Sequence, residues 1–388
     1  MMISPDGPLR FDRIAITSIF GPPRDPRTWS GAPCNLAAAL ERRGIIVESI
    51  NSSIGRMRRL PLAARHIFGG FGRLSSSEQF LRGARARALM SIEVTRQTAH
   101  LGVRHVLHTG TLDLPAFDLL PGVKHYLYCD QTWDLSMRYR TDAAAYGPRA
   151  LEEFERLEAE SLRGLEHVFT FAQCVRANLI AHYGLAPGQV SAVGCGMGRI
   201  EPFFGEKSYA SPQLLFVAKH LFRAKGGPLA VEAFRIALAR RPDLRLTVVA
   251  DPASRRLVPR HPRITFHSRL PWPDLQALYR AATLLVQPML NDPWGQVYLE
   301  ALASRTPVLG LDRNGLPEIV ADGRYGFLVA RPDPALIADT IIDAVANPER
   351  LARVGQAGQT HVLAAYSWDS VAARIALLPM ERNELHVP

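Results

Sequence analysis

The amino-acid sequence predicts an α/β protein built from two doubly wound domains. Short apolar runs of strand length alternate with helical segments, and the run at residues 284–286 is apolar throughout, as parallel strands buried on both faces are. Units of strand, turn, helix and strand are the repeating piece of a doubly wound fold. A chain of 388 residues also exceeds one domain of ordinary size. We therefore expect two parallel sheets covered by helices.

The composition is typical of a soluble globular protein, with 47% hydrophobic and 21% charged residues. No apolar run approaches the roughly 20 residues that span a membrane, and the first residues lack the charged-then-apolar order of a signal peptide. The sequence therefore favours a cytoplasmic location. The four cysteines form no C-x-x-C pair, so we expect them to be buried free thiols.

Residues 284–320 carry the strongest functional signal. The strand at 284–286 is followed by a loop, 291–295, that opens an apolar helix. Because a helix start leaves free backbone N–H groups and a positive dipole end facing the loop, it is a seat for an anion. Asp292 lies in that loop and Glu300 lies eight positions later. At about 1.5 Å per residue they are roughly 12 Å apart, so only a long ligand contacts both.

This stretch resembles the donor site of glycosyltransferase family 4, the retaining enzymes of the GT-B fold, whose motif is E-P-F-G-x-x-x-x-E-A-x-A-x-G-x-P-V. Two positions depart from the motif: Asp292 stands where the family has Glu, and Arg305 stands where it usually has Gly. The first departure shortens the acid by a methylene at a position that bears on donor choice and catalytic competence. The matching positions are Asp292, Pro293, Trp294, Gly295, Glu300, Ala301, Ala303, Pro307 and Val308, with 314–320 as the usual sequel.

The resemblance implies a role for each residue of the donor site. Lys219 and Lys225 occupy the cation positions of the family's G-R-x-x-x-x-K-G pattern and would stabilise the leaving diphosphate, helped by the helix start at Gly295. Asp292 would hold hydroxyls of the donor sugar, and Glu300 the ribose hydroxyls. The rest of the expected donor-binding set is Leu270, in a loop that resembles the border of the nucleotide base, with Trp294 and Gln296.

Neither a cofactor nor a metal ion is expected, and the donor itself is a substrate. In this interpretation, electrostatic stabilisation by the two lysines takes the place of a metal ion. The sequence shows no D-x-D motif and no His/Cys cluster of ligand spacing.

Two positions of the first domain are further candidates. Gly31 falls on the second of the family's paired glycines, where the backbone amides would approach phosphate or the acceptor; a glycine that only permits a tight turn is the alternative. Asp130 follows a predicted strand, where several family members place a His or Asp against the reacting sugar, and it is a catalytic candidate. A structural cap is the alternative. His108 ends the preceding predicted strand and is a second candidate.

The formal net charge of +10 is concentrated between residues 54 and 90, where eight arginines stand against one acid, Glu78. Arg56, Arg58, Arg59 and Arg65 define the expected basic patch, which would bind an anionic membrane surface or a phosphorylated acceptor. An ordinary solvated helix face is the alternative. No recognised nucleic-acid-binding motif accompanies the charge, so no nucleic-acid partner is expected.

The sequence thus predicts two Rossmann-like domains that face each other across a cleft. Residues 1–200 form the acceptor-side domain and residues 205–365 the donor-binding domain, while a helix within 367–388 packs back on the first. The resemblance implies retaining transfer of a hexose from a nucleoside diphosphate sugar to a hydroxyl of a glycan or lipid-linked acceptor, by an enzyme that is cytoplasmic or peripheral on the inner face of the membrane. A sugar-nucleotide epimerase and a binding scaffold without turnover are the alternatives.

Overall fold

A computed structural model describes residues 9–55, 60–61, 64, 79–114, 121–140, 146–268 and 270–377. The chain divides into two compact units. The first comprises Met1–Phe171, Val175–Gly194 and Trp368–Pro388, and the second comprises Ala172–Cys174 and Cys195–Ser367. The main division between the units therefore falls between residues 194 and 195.

The first unit is built on a six-stranded parallel sheet with strand order β2-β1-β3-β4-β5-β6. Its strands are β1 (Arg13–Ser18), β2 (Ile46–Asn51), β3 (His105–Thr109), β4 (Lys124–Cys129), β5 (His167–Thr170) and β6 (Val190–Ala192). Its helices are α1 (Ala32–Glu41), α2 (Ala84–Leu101), α3 (Trp133–Tyr139), α4 (Pro148–Arg163), α5 (Gln173–Ala181) and α12 (Trp368–Ala376).

The second unit repeats the architecture with a six-stranded parallel sheet of order β12-β11-β10-β7-β8-β9. Its strands are β7 (Gln213–Ala218), β8 (Arg245–Ala250), β9 (Ile264–His267), β10 (Leu284–Val286), β11 (Val308–Leu311) and β12 (Phe327–Val329). Its helices are α6 (Gly227–Arg240), α7 (Trp272–Ala281), α8 (Gln296–Ala303), α9 (Leu316–Ile319), α10 (Pro334–Val345) and α11 (Pro348–Ala365).

Strand β10 lies inside the second sheet and positions the candidate site. Leu285 is paired with Leu215 of β7 on one side and with Val308 of β11 on the other. All three residues of β10 are at most 1% exposed, which explains why the run is apolar at every position. Because all strands are parallel, the loops that follow β7, β10 and β11 emerge at the same edge of the sheet.

Helix α12 completes the first unit although it follows the second in the chain. Its buried residues include Val371 and Ile375, it packs against α1, and Arg42 forms an ion pair with Asp369 at 2.7 Å. An antiparallel bridge joins Leu9 to Leu377 just beyond the helix.

Two expectations from composition can be compared with the structure. None of the helices in the described part of the chain is both long and apolar enough to cross a bilayer. The cysteines are free, but the expectation that all are buried is wrong: Cys129 and Cys195 are buried, Cys34 is half-buried and Cys174 is exposed. Cys174 lies in the first turn of α5, on the solvent side of that helix.

Candidate functional site

Two loops at the carboxyl edge of the second sheet bring a cation and an acid together. Lys225 belongs to the loop after β7, and its Nζ atom lies 3.0 Å from Oδ2 of Asp292, in the loop after β10. The two side chains are 19% and 22% exposed, so the pair is mostly shielded from water yet still open at one side. The partial burial strengthens the attraction relative to a surface pair.

The backbone of these loops is joined as closely as the side chains. Gly226 has φ +81°, and a Cβ atom added there would lie 1.9 Å from the carbonyl oxygen of Pro288. The amides of Leu290 and Asn291 both donate to the carbonyl oxygen of Ala224, at 2.8 and 3.0 Å. Only glycine allows this approach at position 226, because any side chain would collide with the facing backbone.

The side chain of Gln287 connects the end of β10 to β7 and to the loop after β7. It is fully buried directly after β10. Its Oε1 atom accepts from the amide of Val217 in β7 at 3.0 Å, and its Nε2 atom donates to the carbonyl of Lys225 at 3.3 Å. The carbonyl of Gln287 accepts from the hydroxyl of Tyr298. A single buried amide thus fixes the backbone that carries Lys225 relative to strands β7 and β10.

Asp292 and the start of helix α8 are held by further hydrogen bonds and a ring contact. Oδ1 of Asp292 accepts from the amide of Trp294 at 3.3 Å, and the Asp292 carbonyl accepts from Nδ2 of Asn314 at 3.2 Å. Trp294 is buried and its ring meets that of Tyr366 edge to face. Gly295, at φ +77°, caps the start of α8. The loop therefore turns sharply into a helix whose first amides face it.

Glu300 lies in the second turn of α8 and is 5% exposed. Its Oε2 atom accepts from the hydroxyl of Tyr279 at 2.8 Å. A Cβ atom added at Gly198 would lie 2.4 Å from Oε1, so the residue 198 backbone touches the other oxygen. Burial raises the pKa of Glu300, and the Tyr279 hydroxyl, the charge of Lys225 and the Gly198 amide oppose that rise.

The remaining donor-site candidates lie around these contacts. Gln296, at the first position of α8, donates from Nε2 to the carbonyl of Gly196 at 3.1 Å. Leu270 is half-buried between β9 and α7. Lys219 is exposed at the end of β7, and within the described residues it forms no ion pair. The structure thus joins Lys225 to Asp292 and, through charge, to Glu300, while Lys219 stands apart.

The residues of this arrangement lie in a part of the chain that matches a known sequence family. Residues 199–361 match the family model glycosyl transferases group 1. The group 1 region lies wholly within the second unit and contains Lys219, Lys225, Asp292 and Glu300. D-inositol 3-phosphate glycosyltransferase of Streptomyces avermitilis is 32% identical over 223 residues, which is 51% of this chain and 48% of that protein. The chain spans about half the length of the curated relatives it matches.

Solved structures extend the likeness over both units. Sucrose-phosphate synthase from Thermosynechococcus elongatus has a TM-score of 0.73 at 20% identity, covering 94% of this chain and 97% of that chain. HepE of Anabaena, in complex with UDP and glucose, has a TM-score of 0.62 at 15% identity, covering 93% and 97%. These neighbours and the two parallel six-stranded sheets confirm the predicted GT-B fold.

The first unit places its candidates differently. Gly31 has φ +84° and caps α1, and Trp29 and Ser30 before it also have positive φ, which indicates a strained turn. Asp130 is half-buried directly after β4. His108 is not available to a ligand, because it is fully buried, with Nδ1 beside Thr17 and Asp113 and Nε2 2.9 Å from Nδ1 of His125. His108 is therefore part of the core.

The expected basic patch lies outside the described residues, which include none of Arg56, Arg58, Arg59 and Arg65. Two other arginines of the 54–90 segment point inward. Arg87 is 4% exposed and donates to Ser161 at 3.1 Å, and Arg82 lies 3.4 Å from Glu158 and over the ring of Trp133. Part of the charge excess therefore lies inside the first unit and not on its surface.

Sequence reasoning missed Tyr279, Gln287 and Gly198, which contact Glu300 or the backbone of Lys225 without belonging to the matched motif. A signal existed only for Gln287, a polar residue directly after an apolar strand. Across the described residues, no group of three or more His, Cys, Asp or Glu side chains could hold a metal ion.

Proposed function

We propose that this chain is a retaining glycosyltransferase that moves a hexose from a nucleoside diphosphate sugar to a hydroxyl of a glycan or lipid-linked acceptor. The observation that carries the proposal is the Lys225–Asp292 pair beside the buried Glu300, inside the group 1 region. Relatives of this chain are named D-inositol 3-phosphate glycosyltransferases, which supports glycosyl transfer as the activity.

The chemistry assigns one task to each group of the second unit. Lys225 stabilises the negative charge that develops on the leaving diphosphate, and the amides at the start of α8 add a positive dipole end. Asp292 accepts hydrogen bonds from donor-sugar hydroxyls, held in orientation by Lys225 and the Trp294 amide. Glu300 accepts from the ribose hydroxyls. Lys219 adds positive charge from its exposed position at the end of β7. As a lysine it does not form the paired hydrogen bonds to phosphate that an arginine forms.

We propose that the lysines and the helix start replace a metal ion and that no cofactor takes part. The attacking hydroxyl transfers its proton to the departing phosphate in this scheme, which gives retention without a protein nucleophile. Asp130 and Gly31 of the first unit would face the sugar and the acceptor. The arginine patch at residues 56, 58, 59 and 65 would hold an anionic membrane surface or the acceptor's phosphate.

Donor turnover in the absence of acceptor tests the enzymatic proposal. Purified protein is incubated with UDP-, GDP- and ADP-hexoses without added metal, and release of the nucleoside diphosphate is followed. We expect slow release from the donors of one base, and release at least about tenfold slower in Lys225→Met, since a charge-assisted contact to the leaving group is lost.

Lys124→Met is the matched control, because Lys124 pairs with Glu166 at 2.9 Å in the first unit and is exposed. It should leave release unchanged. Saturable donor binding without any release would favour a binding scaffold instead. That alternative has its own support in Asp292, whose shorter side chain both pairs with Lys225 and replaces the family's Glu.

A further inference from the structure

Tyr279 contacts the second acid of the donor site from a neighbouring helix. It lies in α7, is fully buried, and donates its hydroxyl to Oε2 of Glu300 at 2.8 Å. Burial, followed by the charge of Glu300, holds the pKa of Tyr279 well above its usual value, so the hydroxyl keeps its proton. Tyr279 is therefore a permanent donor to this carboxylate across the working pH range.

The backbone of Tyr279 is itself held by a buried polar network. The hydroxyl of Thr306 donates to the Tyr279 carbonyl at 2.5 Å, and Nζ of Lys207 donates to the same carbonyl at 3.1 Å. Lys207 also donates to the carbonyl of Ser304, just beyond the end of α8, at 3.2 Å. The carbonyl ends of α7 and α8 are thus joined through the side-chain nitrogen of Lys207, which fixes Tyr279 relative to Glu300.

A carboxylate in this setting has two ways to fail as an acceptor for a sugar diol. A buried carboxylate without a partner takes up a proton. It also rotates easily about the torsion next to the carboxyl group, which has no sharply preferred angle. The Tyr279 hydroxyl opposes both, since it stabilises the ionised form and occupies one lone pair of Oε2. The lone pairs that remain on Glu300 keep a fixed direction.

We propose that Tyr279 is a positioning residue that holds the Glu300 carboxylate ionised and oriented for the ribose hydroxyls of the donor nucleotide. The inference deepens the proposed function and rests on it. Tyr279 acts only through Glu300, so its effect is confined to ligands that carry the ribose hydroxyls.

The test is a cycle of one variant and two ligands, measured by calorimetry. The probes are the nucleoside diphosphate that the wild-type protein binds and its 2′,3′-dideoxy analogue, which lacks both hydroxyls. Tyr279→Phe should weaken binding of the diphosphate about tenfold, as expected for a lost hydrogen bond to a charged group, and weaken the analogue less than about twofold. Equal weakening of both ligands, or of neither, would overturn the inference.

Tyr183→Phe is the matched control. Tyr183 donates its hydroxyl to the buried Glu158 at 3.1 Å in the first unit, so the variant removes the same kind of bond elsewhere. It should leave both affinities unchanged. If the wild-type protein binds no nucleoside diphosphate at all, the proposed function fails and takes this inference with it; wild-type binding with an unselective Tyr279→Phe defeats the inference alone.

The pH profile of binding is a second readout that a merely structural role would not move. The groups bearing on Glu300 within the described residues are Tyr279 from α7, Lys225 from the loop after β7 and the amide of Gly198. Loss of the hydroxyl raises the pKa of Glu300 further. As the pH is lowered, binding of the nucleoside diphosphate should therefore begin to weaken at a higher pH in Tyr279→Phe than in the wild type. Thr306→Val, which removes one of the two side-chain donors to the Tyr279 carbonyl, should show a smaller change in the same sense.

Discussion

At the residue scale, Arg305 shows how a motif departure is accommodated. It follows the end of α8 with φ +56°, in the left-handed region where the family motif has glycine. Its side chain compensates through two contacts: Nε donates to Oε1 of Gln359 at 2.9 Å, and a terminal nitrogen donates to the carbonyl of Gly205 at 3.1 Å. The backbone strain at this position is thus offset by hydrogen bonds that glycine could not make.

Replacing Arg305 separates these two contributions. Arg305→Ala and Arg305→Gly lose the same side-chain contacts, but only alanine keeps the left-handed strain. We expect Arg305→Ala to be less stable than Arg305→Gly by about 1–2 kcal/mol. Chemical denaturation of the two variants, followed by the transition of the second unit, measures the difference. Equal stabilities would show that position 305 carries no strain.

At the scale of elements, the site depends on the loops after β7 and β10 lying in contact. Their contact is made by the Ala224 carbonyl, the Gly226 backbone and the Gln287 side chain, none of which is charged. The ion pair of Lys225 and Asp292 is therefore placed by neutral backbone packing.

Gly226→Ala tests this backbone contact. The variant should lower the stability of the second unit and abolish binding of nucleoside diphosphates, because the new Cβ atom meets the Pro288 carbonyl. Gly44→Ala is the control: Gly44 has the same φ of +81°, and a Cβ added there meets no described atom within 4 Å. We expect Gly226→Ala to cost about 1–3 kcal/mol more than Gly44→Ala. Similar losses in both variants would contradict the close approach.

The sequence predicted the elements better than the contacts between them. Strand β10 has the bounds expected from its apolar run, because a strand buried on both faces admits only apolar residues. The pairing of Lys225 with Asp292 was not predicted, and neither was the hydroxyl of Tyr279 on Glu300. These contacts join segments far apart in the chain, and tertiary packing decides them. The inward direction of Arg87 escaped prediction for the same reason.

At the scale of the whole molecule, the chain leaves the first unit at residue 194 and returns to it at Trp368. Helix α12 then buries Val371 and Ile375, and its residue Arg374 donates to the carbonyl of Val193 at 2.6 Å. The stability of the first unit therefore depends on the last described helix, while the group 1 region lies wholly in the other unit.

Truncation after Ser367 should destabilise the first unit selectively. Hydrogen exchange of the truncated chain should rise in α1, which packs against α12, and stay unchanged in α6 and α10 of the second unit. Asp369→Ala is the control, since it removes only the exposed ion pair with Arg42 and should cost less than about 1 kcal/mol. Faster exchange spread evenly over both units would contradict this dependence.

The most direct test of the donor site is hydrogen exchange of the wild-type protein with UDP, GDP or ADP present at about a hundred times the dissociation constant. Such a ligand stabilises the protein by about 2.7 kcal/mol, enough to slow exchange of the amides it protects. We predict protection by one of the three nucleotides in the loop at residues 219–226 and in residues 292–300, which form the loop before α8 and the first turns of that helix. Protection elsewhere, or none with any nucleotide, would contradict the assignment of the donor site to the second unit.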